Sequence, residues 1–322
     1  MTLKNKRILV TGGTGFLGRH LARRLRSQGN HVVLGARNNK QNAEAGRFSG
    51  CEVIPLDVVH IESIRDAVIQ VRPDIIIHAA ATKFVDLAER QPLECIDVNV
   101  VGSQNVARVA LERRVPQTLG ISTDKASPPV RNLYGLSKSV MERIFCYLDR
   151  GGDSAFACVR YGNVAWSTGS VLPIWARMLK ETGTIGTTGP EMRRFFFTID
   201  EAVALVETAL QHFDEIRGRV LGREMKSALI GDLLETWRKH DGIRFERIEG
   251  RPGERLDEFL VGDSELPFTE ERDYGAIRHF IIGFNRPVAS PLSTPLSSAN
   301  APRLSESEML ALLRNPPEGM LG

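Results

Sequence analysis

Residues 8–18 run Ile8-Leu9-Val10-Thr11-Gly12-Gly13-Thr14-Gly15-Phe16-Leu17-Gly18, and the order of side chains in them decides the fold. Ile8 to Val10 is a short apolar run of the kind buried on both faces of a parallel sheet. After the glycines a helical spacing continues through Leu21, Arg24 and Leu25. Strand, tight turn and helix therefore follow one another. Gly12 permits the turn, Gly15 lets the backbone approach a pyrophosphate, and Gly18 allows the helix to pack close on the sheet. The N–H groups of the helix start would then face the anion, with Thr14, Phe16 and Leu17 completing the cradle. The spacing is Gly-x-x-Gly-x-x-Gly, not the commoner fingerprint with Gly-x-Gly. A glycine loop alone also fits a structural turn, but its place directly after the first strand favours a dinucleotide.

Working outward, His31 to Leu34 reads as a second strand, and the residues at its end select between the two nicotinamide dinucleotides. An acid there would bond the adenosine ribose; this chain has Gly35-Ala36-Arg37-Asn38-Asn39-Lys40 instead. Arg37, helped by Lys40, suits a 2′-phosphate, so NADP is expected ahead of NAD; cations that merely face solvent are the other reading. Cys51 to Pro55 gives a third strand, after which Asp57 and Val58 approach the adenine. Ile75 to His78 is a fourth strand opening into Ala79-Ala80-Ala81, whose small side chains let a cofactor lie close. His78 reads as a packed strand-end histidine. The fold class that results is α/β, a Rossmann-like doubly wound parallel sheet with a smaller interwoven substrate-binding portion.

Composition agrees with one large α/β unit and excludes several classes. The 322 residues are 42% apolar and 25% charged, and 42 basic against 39 acidic residues are mixed along the chain, which leaves no basic stripe for nucleic acid. Cys51, Cys95, Cys146 and Cys158 have neither zinc-site nor disulfide-framework spacing, so no metal is expected and a cytoplasmic setting fits best. The apolar run after the basic start is too short for a signal peptide, and nothing later reaches the length that membrane insertion needs.

Thr118 to Ser122 forms a fifth strand whose end carries Thr123, Asp124 and Lys125. Nine residues further on, Tyr134 and Lys138 stand four apart on a helical segment and share a face. A tyrosine is a poor base at neutral pH, but a nearby ammonium favours the phenolate and equips it to take a hydroxyl proton as hydride leaves the same carbon. Taken singly, each has a plainer reading: Tyr134 and Lys138 as a surface pair, Asp124 and Lys125 as a neutralising loop pair, Thr123 as a turn residue, Asn99 as a backbone bonder, Lys83 as a solvated cation.

Several motifs together make the chain resemble the extended short-chain dehydrogenase/reductase superfamily, and within it the soluble, inverting UDP-N-acetylglucosamine 4,6-dehydratases of polysaccharide biosynthesis. They are His78-Ala79-Ala80-Ala81 with Lys83, Asn99-Val100-x-Gly102, Ser122-Thr123-Asp124-Lys125-Ala126, Asn132-Leu133-Tyr134-Gly135 with Lys138, and Val159-Arg160-Tyr161-Gly162-Asn163-Val164. Further on come Gly169-Ser170-Val171-x-Pro173, Arg194-Phe195, and Arg251-Pro252-Gly253-Glu254-Arg255-Leu256. The resemblance implies a lyase with internally recycled NADP, in which C4 of the sugar is oxidised, water leaves across C5 and C6, and hydride returns to C6 with C5 inverted. Tyr134 is then the first base, Lys138 lowers its pKa and holds the nicotinamide ribose, Lys125 takes the C5 proton, a protonated Asp124 serves the departing hydroxyl, and Thr123 orders the C4 region. Asn99 joins the cofactor contacts. Lys83, Asn163, Ser170, Val171, Arg194, Arg251 and Glu254 join the UDP-sugar contacts, although Phe84-Val85-Asp86 departs from the family pattern beside Lys83. A UDP-sugar 4-epimerase, which needs no Asp124-Lys125 pair, and a non-catalytic NADP-binding regulatory protein are the alternatives.

The strand-helix alternation weakens after Arg160, which suggests residues 1–160 as mainly the dinucleotide-binding unit and 161–322 as mainly the substrate-binding portion, with segments returning to the main sheet. Leu304 to Met309 resembles a cap and a short C-terminal helix. The family resemblance also implies a homodimer or higher homo-oligomer, using helices near residues 98–111 and 137–148.

Overall fold

The computed structural model describes residues 3–37, 39–250 and 253–319. Its first strand, β1 (Arg7–Thr11), is followed by helix α1 (Phe16–Ser27), then by β2 (His31–Ala36), β3 (Glu52–Pro55), β4 (Ile75–His78), β5 (Gln117–Ile121) and β6 (Ala155–Arg160), with helices in each crossover. These six pair in parallel in the order 3-2-1-4-5-6, the doubly wound arrangement in which the order reverses beside β1. Strand Val220–Arg223 continues the parallel run beyond β6, and Ile277–Ile282 and Thr269–Tyr274 close that edge antiparallel. The sheet therefore has nine strands, three of them supplied by the second half of the chain.

Each of the first five strands lies within two residues of its sequence-based position, because the apolar runs that mark them are buried on both sides. Ile8, Leu9 and Val10 of β1 and Ile75, Ile76 and Ile77 of β4 are at most 1% exposed. The smaller portion is made of short pairings: Arg193–Phe197 lies between Lys226–Leu229 and Asn163–Val164, and Thr184–Thr187 pairs with Arg244–Arg247. Residues 287–302 are irregular apart from Leu296–Ser297, which pairs with Phe259–Val261. The terminal helix Glu306–Arg314 opens with a capping box between Ser305 and Glu308.

One buried cluster ties these parts together. Arg160, at the end of β6, is wholly buried and forks between two carboxylates: Nε and Nη2 donate to Glu142 at 2.9 and 2.6 Å, and Nη1 and Nη2 donate to Glu265 at 2.9 and 2.8 Å. Burial opposes the guanidinium charge, but the two carboxylates outweigh it and hold the proton well above the ordinary arginine range. Glu142 belongs to helix Leu133–Leu148 and also accepts from Ser122 Oγ at 2.6 Å, while Glu265 accepts from Ser127 Oγ at 3.1 Å. The network thus fixes both ends of the stretch that carries Thr123, Asp124 and Lys125. Replacing Arg160 by Met would leave two buried carboxylates unpaired, a change expected to cost about 3–5 kcal/mol; a denaturant melt with an unchanged midpoint would contradict that account.

Candidate active site

The loop between β1 and α1 approaches the end of β4 so closely that side chains are excluded. Gly12 has φ +66°, and a Cβ there would stand 2.6 Å from the backbone N and Cα of Ala80. A Cβ on Gly18 would meet the carbonyl oxygen of Gly13 at 2.6 Å, so helix and loop press on one another. No side chain caps α1, whose first turn lines the floor of a cleft of about 700 Å³. Backbone N–H groups uncapped at a helix start favour an anion.

Thr14, Gly15, Phe16, Leu17, Arg37, Val58 and Ala79 to Ala81 all line this cleft. Three expected cofactor contacts do not. Lys40 is exposed on helix Asn39–Ser49, away from the lining; Asp57 turns its carboxylate back to accept from the backbone N–H of Val59 at 3.0 Å; and Asn99 is fully buried in a wide π-type turn. The Asn99 amide grips Thr82 by both backbone groups, accepting from its N–H at 2.8 Å and donating to its carbonyl at 2.9 Å. Asn99 therefore holds the loop after β4 in place. Arg37 reaches the rim, where it is paired at 3.7 Å with exposed Glu94, a partner that no local spacing marks. His78 is buried between Thr11 Oγ1 at 2.7 Å and Ser103 Oγ at 3.0 Å, and burial pulls it down to about 3, so it is a neutral core imidazole.

The catalytic candidates converge where β5 ends. Thr123 caps a single 3₁₀ turn, Asp124–Ala126, and Asn132 caps helix Leu133–Leu148 by accepting from Gly135 N–H at 2.8 Å, which sets Tyr134 in the first helical turn facing the cleft. Lys125 Nζ donates to Asp124 Oδ1 at 3.1 Å and to Asn163 Oδ1 at 3.2 Å. Burial disfavours the ammonium, but Asp124 and Glu258 more than compensate, so its pKa is raised and Lys125 is charged at rest. Asp124 lies wholly buried behind the lining; its Oδ1 also accepts from Thr123 Oγ1 at 3.0 Å, and its Oδ2 has no partner.

Burial pushes the Tyr134 phenol up to about 12, against the pull of the Lys125 ammonium and a hydrogen bond with Thr123. The family resemblance assigns that pull to Lys138. Four-residue spacing does put Lys138 on the cleft face, but its Nζ donates to the carbonyl of Ile121 at 2.7 Å and rests 3.5 Å from Met141 Sδ, leaving Lys125 as the cation that acts on the phenol.

On the far wall, Lys83, Ser170, Arg194 and Glu254 line the cleft with Asn163. Ser170 stands at the start of helix Val171–Thr182 with its hydroxyl unpaired, whereas Val171 itself packs on the core. Asn163, expected among the UDP-sugar contacts, has its amide oxygen accepting from Lys125. The Arg194 guanidinium is held by the carbonyls of Arg193 and Leu256 at 2.8 and 3.2 Å. Arg251 lies outside the described residues. Phe84, where the motif departs from the family, packs on Gly169: a Cβ there would collide with its ring at 2.0 Å. Sequence reasoning missed Glu258, a lining carboxylate only 2% exposed and 3.6 Å from Lys125. No local signal marks it, since nothing in spacing connects position 258 to position 125.

The sequence profile of the family described as "Polysaccharide biosynthesis protein" matches residues 8–278. The chain belongs to that family. It is 31% identical to the inverting UDP-N-acetylglucosamine 4,6-dehydratase of Campylobacter jejuni over 281 residues, covering 84% of this chain and 82% of the relative. It is also 30% identical to the UDP-glucose 4-epimerase of Rickettsia typhi over 335 aligned positions, covering 96% and 95%. The solved structure of Pen from Bacillus thuringiensis superimposes with a TM-score of 0.88 at 26% identity, over 97% of this chain and 98% of that one. Membership in this nucleotide-sugar dehydratase and epimerase group accounts for the Rossmann-like core; among the described residues no helix is long and apolar enough to cross a membrane.

The Lys138 ammonium provides a test of the site's electrostatics. Burial lowers its pKa to about 8, below its ordinary value of 10.5. Between those values the unfolded chain binds the additional proton, so the penalty for burying Lys138 is full below about pH 8 and fades as pH rises toward about 10.5. Lys138→Met should therefore be more stable than the parent at pH 7, by on the order of 2 kcal/mol, with most of the gain lost by about pH 10. Urea midpoints at the two pH values check both the sign and the trend.

Proposed function

We propose that the protein converts UDP-N-acetylglucosamine to a UDP-2-acetamido-2,6-dideoxy-hexos-4-ulose, with inversion at C5. The observation that carries this reading is the 3.1 Å hydrogen bond from Lys125, which lines the cleft with Tyr134, to Asp124 buried directly behind it. Epimerisation at C4 asks only for a group that takes and returns the hydroxyl proton, which Tyr134 supplies. Dehydration asks in addition for a base at C5 and an acid at C6. A proton passing from Lys125 Nζ to Asp124 Oδ1 along that bond creates both at once, a neutral amine and a carboxylic acid. The amine takes the C5 proton, the acid protonates the leaving hydroxyl as the C6–O bond breaks, water departs, and the ion pair is restored.

The cradle at Gly12, Gly15 and Gly18, which a Cβ would fill, fits the pyrophosphate of a dinucleotide. Arg37 at the rim, with no acid at the end of β2, favours NADP over NAD. When bound, the nicotinamide supplies the hydride acceptance and return that the sugar chemistry needs. Thr123 orients the C4 hydroxyl toward Tyr134, Lys138 fixes the backbone at the end of β5, and Lys83, Ser170, Arg194 and Glu254 receive the nucleotide and diphosphate. Residues 1–160 and 161–322 divide these tasks in the main. A homo-oligomer belongs to the same proposal and would cover Leu136, Val140 and Tyr147, which are exposed along helix Leu133–Leu148.

A UDP-sugar 4-epimerase is the second reading, favoured by the whole-length similarity to the Rickettsia typhi enzyme. Incubation with UDP-N-acetylglucosamine in heavy water separates the two by proton NMR and mass spectrometry. The expected product has lost one water, carries deuterium at an inverted C5, and forms with no net consumption of nicotinamide. UDP-N-acetylgalactosamine with its C6 hydroxyl retained would establish the epimerase instead. Lys125→Ala is expected to abolish dehydration, by about 10²-fold or more, while cofactor binding persists; comparable turnover of variant and parent would refute the assignment.

A further inference from the structure

Glu258, a carboxylate lining the cleft, faces three cations. Its Oε1 lies 3.6 Å from Lys125 Nζ and 4.0 Å from Arg194 Nε, and its Oε2 lies 3.7 Å from Arg255 Nη1. Oε2 accepts no hydrogen bond, although the residue is only 2% exposed. Its backbone N–H is anchored by Ser298 Oγ at 3.0 Å, so the main chain that carries it is held in place. A buried anion with one oxygen left unpaired is tolerated where neighbouring charge offsets it. Here that charge comes from the proposed C5 base and from an arginine of the sugar-nucleotide wall.

An ammonium has three N–H donors. On Lys125 two of them are taken by Asp124 and Asn163, at 3.1 and 3.2 Å, and the third faces Glu258 across 3.6 Å. Two hydrogen-bond acceptors and one counter-charge, on three separate segments, therefore define where Nζ stands. When a proton moves to Asp124 the link on that side loses its charge, and Glu258 and Asn163 remain to aim the neutral amine at C5. We propose that Glu258 is a positioning residue for the elimination step, fixing the direction and the protonation of Lys125 and linking it to Arg194 and Arg255. This rests on the dehydratase reading and goes further by assigning the step that Glu258 serves. Oxidation at C4 runs through Tyr134, which Glu258 reaches only indirectly, through the charge on Lys125.

The sign of the pH effect follows from the groups around Lys125. Asp124, Glu258 and the Tyr134 phenol face it as present or potential anions, and Arg194 faces it as a cation. Removing the Glu258 charge leaves the cations less opposed and weakens the hold of Lys125 on its proton, so the pH dependence of elimination moves to lower pH.

The test is a single-turnover experiment on the cofactor-loaded protein with UDP-N-acetylglucosamine, comparing parent, Glu258→Gln and Glu258→Asp. The near-ultraviolet absorbance of reduced nicotinamide reports C4 oxidation, and mass spectrometry reports loss of water. In Glu258→Gln, oxidation is expected to proceed while water loss slows on the order of 10- to 100-fold. Reduced nicotinamide then accumulates transiently, KM changes little, and the pH profile shifts down by about one unit. Glu258→Asp keeps the buried charge but withdraws it by one methylene, and should fall between the two; it decides the matter if Glu258→Gln does not fold. Water loss at the parental rate in the folded variants, with no accumulation and no shift, overturns the positioning role while leaving the dehydratase reading intact. Failure of the parent itself to release water overturns both.

Discussion

A guanidinium taken fully out of water has to be met by carboxylates, and Arg160 meets that demand with Glu142 on one side and Glu265 on the other. The two partners come from the helix that carries Tyr134 and Lys138 and from a segment more than a hundred residues further along the chain. Tyr134, Lys138 and Glu142 recur every four residues, so the face of the helix that turns its chemistry to the cleft is the face bolted to β6. Rotation of that helix would move the phenol only by breaking buried charge pairs. Ser122 and Ser127, which bond the same two carboxylates, bracket Thr123, Asp124 and Lys125. The register of the site and the stability of its neighbourhood are thus set by one network.

Inside the cleft the same physics is applied with less complete compensation. Lys125 is held charged by Asp124 and Glu258, Lys138 is driven down by burial, and the Tyr134 phenol is driven up. Such strained ionisation does not serve a core that only has to fold. It suits groups that must exchange protons in sequence, because small changes in one neighbour's charge then move the next proton.

How much of this was legible in the sequence follows from the distance over which each signal acts. The glycine loop, the apolar strands and the four-residue spacing of Tyr134 and Lys138 are local patterns, and each places its element without reference to the rest of the chain. Thr123, Asp124 and Lys125 were legible as a strand-end cluster. Glu258 beside Lys125, Glu94 beside Arg37 and Glu265 beside Arg160 were not, since each pairing is made by chain topology between segments with no common pattern. Asn99 and Asp57 make contacts that no spacing announces: the Asn99 amide bonds the backbone of Thr82, and Asp57 Oδ1 accepts from the backbone N–H of Val59. Lys138 shows that sharing a face does not specify a partner, for its ammonium ends on the Ile121 carbonyl.

The strand order has a consequence for how the protein comes into being. β6 is an interior strand, yet its outer neighbour, Val220–Arg223, is synthesised about sixty residues after it, and Glu265 follows Arg160 by 105. While the ribosome is still extending the chain, β6 is an open sheet edge ending in an arginine that lacks half its counter-charge. Such an edge invites pairing with other nascent chains until its own partner arrives. The catalytic stretch is complete in sequence by residue 138, but its architecture awaits the arrival of Glu265.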